Sequence, residues 1–247
     1  MAIWGKIFGG AAGLILGGPL GALVGGLAGH VVDKYRQDNE DTTVNPEDTT
    51  GLKQVAFTIA VIALGAKLAK ADGVVTRDEI TAFKRVFRIP PNEEKNVGRV
   101  FNMARQNTAG YEEYARQVER MFRGSPEVME DLLHGLFTIA MADGVLHPDE
   151  DIYLQNIASI FGFNESDFDR IRSYHSGEDA RDPYRILGVE RGISDQDLKK
   201  AYRTLIRENH PDKVIAEGLP QEFVDVANEK LAKINAAYDQ IARQREI

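Results

Sequence analysis

The chain has 247 residues, a formal net charge of −8, 43% hydrophobic and 28% charged side chains, and no cysteine. That length exceeds what one compact domain usually needs, and the composition is that of a globular protein, not a disordered one. The missing thiols exclude a disulfide scaffold, a cysteine zinc site and thiol catalysis, while the acidic balance argues against nucleic acid as a partner.

Residues 1–32 hold one charged side chain, Lys6, and ten of the 23 glycines. From Ile7 to Val32 run 26 residues without an acid, lysine or arginine. About 20 suffice to cross the hydrocarbon core of a bilayer as a helix. Gly9, Gly13, Gly17, Gly21, Gly25 and Gly29 recur every four residues. On a helix this leaves one face bare, so that a second helix approaches backbone to backbone. The pattern predicts a single transmembrane helix in a lipid bilayer, with a homodimer packed through its glycine face. A cleaved signal peptide competes with that reading, but its apolar stretch is normally about 7–15 residues. A soluble glycine-rich loop also competes, and such a loop has no need of four-residue spacing. Lys6 on one flank and Lys34 with Arg36 on the other leave the orientation open. Residues 33–50 carry six acids against two bases and read as an acidic linker.

Residues 51–176 show helical periodicity and almost no strand alternation. Val55, Ile59, Ile62 and Leu68 mark one apolar helix, and Leu132, Leu136, Ile139 and Ala140 another. Pro90-Pro91, Gly124-Ser125-Pro126 and Asn164-Glu165-Ser166 punctuate the helices. The stretch Lys70-Ala71-Asp72-Gly73-Val74 through Asp78-Glu79 is echoed 71 residues later by Met141-Ala142-Asp143-Gly144-Val145 through Asp149-Glu150. Each copy ends a helix at Asp-Gly and starts the next near Thr76 or His147. Two such acidic turns facing each other would hold a divalent cation, with Asp72, Asp78, Glu79, Asp143, Asp149 and Glu150 as candidate ligands. The competing account gives every acid a local task, ending one helix or favouring the positive end of the next. It carries more weight, because the acid alternation of an EF-hand loop is absent. No cofactor is expected. These turns resemble those of the TerB-like domain, an all-helical module related to tellurite resistance.

Residues 181–247 carry 12 acids and 12 bases. Asp182-Pro183-Tyr184-Arg185-Ile186-Leu187-Gly188-Val189 predicts a short helical turn. Ser194 caps a helix running to about Asn209, whose apolar positions Leu198, Ala201, Tyr202, Leu205 and Ile206 share one face. Lys199, Arg203 and Arg207 step by four along another face, with Lys200 adjacent. A loop is expected to follow, containing His210-Pro211-Asp212-Lys213. A further helix starts near Gln221, with Phe223, Ala227, Leu231, Ile234, Tyr238 and Ile241 as its apolar stripe. Two antiparallel helices with a short one laid across them would bury a small shared core.

The order DPYRILGV, LKKAYRTLIRENHPDK, KINAAY resembles the J-domain of the DnaJ family. The long insert VIAEGLPQEFVDVANEK, the opening Ile3-Trp4-Gly5-Lys6, the glycine-rich span and the TerB-like middle resemble the membrane-anchored DjlA branch of that family. The resemblance implies an all-α chain made of a transmembrane helix, a TerB-like domain and a C-terminal J-domain hairpin. It implies a co-chaperone and not an enzyme, one that stimulates ATP hydrolysis by a DnaK-type chaperone at the bacterial inner membrane. The basic face Lys199, Lys200, Arg203 and Arg207 would meet an acidic surface of that partner, and His210, Pro211 and Asp212 would enter its interdomain joint. No Gly/Phe-rich spacer, cysteine-rich region or β-sandwich substrate domain is present, so the chain is not expected to grip unfolded clients as general DnaJ proteins do. The alternative reading is a membrane scaffold or sensor with a cation-binding middle domain.

Overall fold

A helix whose residues are apolar all round has no side to offer water and must be enclosed. The segment from Phe57 to Ala69 is of this kind except for Thr58 and Lys67, and in the computed structural model every one of its residues is buried. The structure describes residues 49–69, 77–86, 89, 94–105, 110–175, 182–217, 219 and 221–247. The expected transmembrane segment with its Gly9-to-Gly29 repeat, nearly all of the acidic linker, and Asp72 lie outside these residues. Among the described residues all regular structure is helical, and no helix is long and apolar enough to cross a membrane.

The enclosed helix, α1 (Thr49–Leu68), is followed by α2 (Arg77–Val86), α3 (Glu94–Arg105), α4 (Tyr111–Met121), α5 (Pro126–Ala140), α6 (Pro148–Ile160) and α7 (Glu165–Ser173); it packs on α3, α4, α5 and α6, while α2 and α7 lie against α5. The breakers at Gly124-Ser125-Pro126 and Asn164 start α5 and α7. Pro126 opens α5, where its missing N–H costs nothing. Asn164 and Asp167 cap α7 reciprocally, at 3.0 and 3.2 Å. Gly65 permits the close approach of α1 to its neighbours: an added Cβ there would lie 3.1 Å from the Phe83 ring and 3.3 Å from Ile139.

The C-terminal domain comprises α8 (Pro183–Ile186), α9 (Asp195–Glu208), α10 (Pro211–Ala216) and α11 (Gln221–Arg245). Ser194 accepts the Asp197 N–H at 3.1 Å and caps α9 as expected. α9 and the second half of α11 lie side by side. Tyr202 stacks on Tyr238 with centroids 4.0 Å apart and donates to Asn235 Oδ1 at 3.0 Å. Leu198, Ile234, Ala237 and Ile241 form the core between them, with Tyr184 and Leu187 of the α8 region. Arg245 closes the far end, donating to the carbonyls of Ile193 and Arg191, both at 2.7 Å.

Two features differ from the sequence expectation. The segment after His210 is a helix, α10, and not a loop. The apolar stripe of α11 is also divided between two cores. Phe223, Val224 and Ala227, with Val214 and Leu219 ahead of them, belong to the core of the middle domain. Phe223 meets Phe57 edge-on at 4.7 Å, and Phe57 meets Phe122 at 5.2 Å. The physical reason is length: α11 has 25 residues, more than the 14-residue α9 can cover, so its first turns bury their apolar face elsewhere.

Candidate functional site

The site begins with the last turns of α9. Lys199, Lys200, Arg203 and Arg207 are all exposed. Arg203 and Arg207 line a shallow groove of about 330 Å³ together with Tyr202, Ile206 and His210. The structure thus brings half of the basic face and the first residue of the tripeptide around one apolar floor. Lys199 and Lys200 extend the same field toward the start of the helix.

Asn209 ends α9, its side chain donating to the Leu205 carbonyl at 2.8 Å. His210 is the N-cap of α10 and Pro211 its first residue. The Asp212 N–H donates to His210 Nδ1 at 3.3 Å. The Asp212 carboxylate lies 3.3 Å from the same Nδ1, and the side chains of His210 and Asp212 are 49% and 80% exposed. A rigid corner therefore presents a carboxylate to solvent at the end of a basic rod, and such a carboxylate is suited to accept a charge-assisted bond from an arginine.

A second cluster joins the two domains and is buried. Lys230 of α11 pairs with Asp131 and lies 3.6 Å from Glu130. Arg170 of α7 grips Glu130 with two bonds, 2.7 and 3.0 Å. Burial opposes ionisation of Glu130, but Lys230 and Arg170 together overcome it and hold the carboxyl well below its ordinary range. Asp131 has no such second cation. Burial pushes it up to about 6, which Lys230 only partly offsets. Beside them His134 Nδ1 and His175 Nε2 share one hydrogen bond of 2.8 Å. His134 Nε2 stands 3.6 Å from Glu130 Oε1, too long for a full bond. Tyr174 donates to the Ile186 carbonyl and Lys233 to the Tyr174 carbonyl, both at 2.9 Å, which stitches α7 to the C-terminal domain. Gly188, at φ +63°, lies under the Arg170 stem, where an added Cβ would come within 2.8 Å of Arg170 Cδ.

None of this second cluster is marked in the sequence as a site. Its main ion pairs, Arg170–Glu130 and Lys230–Asp131, span 40 and 99 residues. Of the candidate cation ligands, Asp143 accepts the Val145 N–H at 2.9 Å and forms the turn. Buried Glu150 accepts the His147 N–H at 3.1 Å and starts α6. Asp149 is exposed in the first turn of α6. Asp78 and Glu79 fall in the first turn of α2, and their side chains lie outside the described residues. Among the described residues no group of three ligating side chains could hold a metal ion.

An exposed His-Pro-Asp corner between two paired helices, behind a helical domain, defines a J-domain co-chaperone. Comparison with known families agrees across the chain: "Co-chaperone DjlA transmembrane domain" matches residues 1–54, "Tellurite resistance protein TerB" 58–173 and "DnaJ domain" 182–246. The curated relatives include Co-chaperone protein DjlA of Vibrio cholerae serotype O1 and of Aliivibrio fischeri, each 31% identical with all of both chains covered. The DjlA protein of Photobacterium profundum is 29% identical over 98% of this chain and 99% of its own. The chain belongs to the DjlA family of membrane-anchored co-chaperones. No solved structure matches it.

Proposed function

We propose that this chain stimulates ATP hydrolysis by a DnaK-type chaperone, working from the bacterial inner membrane with its bulk in the cytoplasm, where ATP is available. The observation that carries the reading is the solvent-facing Asp212 at the end of the basic face of α9. Lys199, Lys200, Arg203 and Arg207 steer encounter with an acidic surface. His210, Pro211 and Asp212 then enter the partner's interdomain joint, where Asp212 binds an arginine and favours the hydrolysis-competent population. Membrane anchorage confines this action to folding near the envelope, including under envelope stress. The glycine face of the span pairs two copies, and Gly17→Leu with Gly21→Leu tests this in a membrane association reporter.

The deciding experiment is ATP turnover by the partner with increasing amounts of the full chain. Wild type should raise turnover and Asp212→Asn should not, although the substitution preserves size and the cap on His210. Equal stimulation by both would remove the proposal.

A further inference from the structure

The tripeptide is one end of α10, and the other end is seated in the TerB domain. Val214 is 2% exposed within that domain's core. Lys213 Nζ lies 3.2 Å from Glu127. Glu217 accepts a 2.8 Å bond from Ser125 Oγ. Leu219, Phe223, Val224 and Ala227 continue into the same core, and Lys230 closes the seam on Asp131. A helix of six residues has almost no stability of its own, because nucleation costs more than so few bonds return. Its shape, and therefore the geometry of the corner it starts, is supplied by what it packs on. The seating leaves the working surface open: His210 and Asp212 are 49% and 80% exposed, and the basic face is exposed with them.

Resting on the co-chaperone reading above, we propose that the TerB domain positions the tripeptide. Glu127 and Ser125 hold α10 in register, and the contact of Phe57 with Phe223 anchors the start of α11 behind it. The insert Val214–Lys230 is the piece that enters the middle-domain core, which accounts for its length. Glu127 and Ser125 bond to Lys213 and Glu217 and act through them on the corner, so they are positioning residues. Setting the corner beforehand removes an ordering cost that would otherwise fall on the encounter with the partner. It raises the fraction of molecules competent to trigger that partner. The basic face sets how often the two meet, and the seam sets how well a meeting works.

The test uses the full chain in lipid nanodiscs, titrated against a DnaK-type ATPase. Hydrogen exchange over residues 211–219 is read on the same samples. Glu127→Lys places like charge against Lys213 and Phe223→Ala removes the ring packed on Phe57. In both, the α10 amides should exchange about ten-fold faster. Maximal stimulation should fall about five-fold, with the half-stimulating concentration changed by less than about two-fold. Arg207→Ala should do the converse, raising the half-stimulating concentration at an unchanged maximum. Unfolding alone does not produce that split, and helical ellipticity at the assay temperature checks for it. Should Glu127→Lys unfold, Ser125→Ala and Glu217→Ala, which each remove one bond, decide in its place. Full stimulation by a variant whose α10 exchanges fast overturns the proposal. So does increased stimulation, which would make the seating inhibitory. Unchanged protection of α10 in both Glu127→Lys and Phe223→Ala overturns it as well, because the seam then does not hold the corner. If Asp212→Asn stimulates like wild type, the co-chaperone reading itself fails, whatever Glu127 does.

Discussion

The cations of α9 and those of the seam are the same residue types in opposite surroundings. Lys199, Lys200, Arg203 and Arg207 stand in water. Their field is screened by salt, and removing one changes little but the rate of meeting a partner. Lys230 and Arg170 are 2% and 13% exposed at the side chain, each against a buried carboxylate. There the cost of leaving water is already spent, so the loss of one partner strands the other. Charge at the surface selects what the protein meets, and charge at the seam decides which arrangement of its own domains persists.

The sharpest break of this comparison is Lys230→Ala, which leaves Asp131 and Glu130 buried without that cation. Denaturant unfolding should show a loss of about 3–5 kcal/mol. The paired replacement Asp131→Leu with Lys230→Met should recover most of it, since well-packed apolar groups often match a buried ion pair. Failure to recover would mean that the pair's geometry, and not burial of its charge, holds the seam.

A smaller effect is expected from pH. Burial pushes His134 down to about 4 and, with His134 and Lys233 nearby, pushes His175 well below its ordinary range. Both rings are neutral in the fold and take a proton more readily when unfolded. Their contribution is whole above about pH 6.5 and drains away as pH falls below it, for His134 toward about 4. Asp131 works in the opposite sense. Raised to about 6, its unfavourable ionisation is relieved as pH falls from about 6 to 3.8. His134→Gln with His175→Gln should therefore lose less melting temperature than wild type between about pH 7 and 4.5. Parallel losses in the two proteins would exclude the histidines as the cause.

The smallest effect on the fold belongs to the surface. Arg203→Ala should move stability by less than about 0.5 kcal/mol. It should raise the half-stimulating concentration of the partner assay and flatten its salt dependence. A clear drop in melting temperature would place Arg203 on the structural side of the comparison.

Legibility follows the same division. The four-residue steps of the basic face and the Ser194 cap are local patterns, and each stands where the sequence puts it, while the tripeptide follows α9 as expected but opens a helix in place of a loop. The seam escapes such reading. The stripe of α11 keeps one period whether it faces α9 or α1, so Phe223 and Ile234 look alike although they lie in different cores. Lys230 follows Glu229 and precedes a run with Lys233, so it passes for solvated surface, while the acid that receives it is 99 residues away. α10 is hidden by its brevity and by the breakers Gly218 and Pro220 directly after it. The TerB resemblance conveyed a helical domain and gave no sign that it was built to receive a foreign segment.

The contact of Phe223 with Phe57 also sets an order of events. Every residue of α1–α7 leaves the ribosome before Phe223 does, and domains generally fold as they emerge. For that interval the TerB domain lacks the residues of α11 that cover Phe57, and uncovered apolar surface is of the sort that invites chaperones or aggregation. The newborn helper is, until its own last helix arrives, a candidate client.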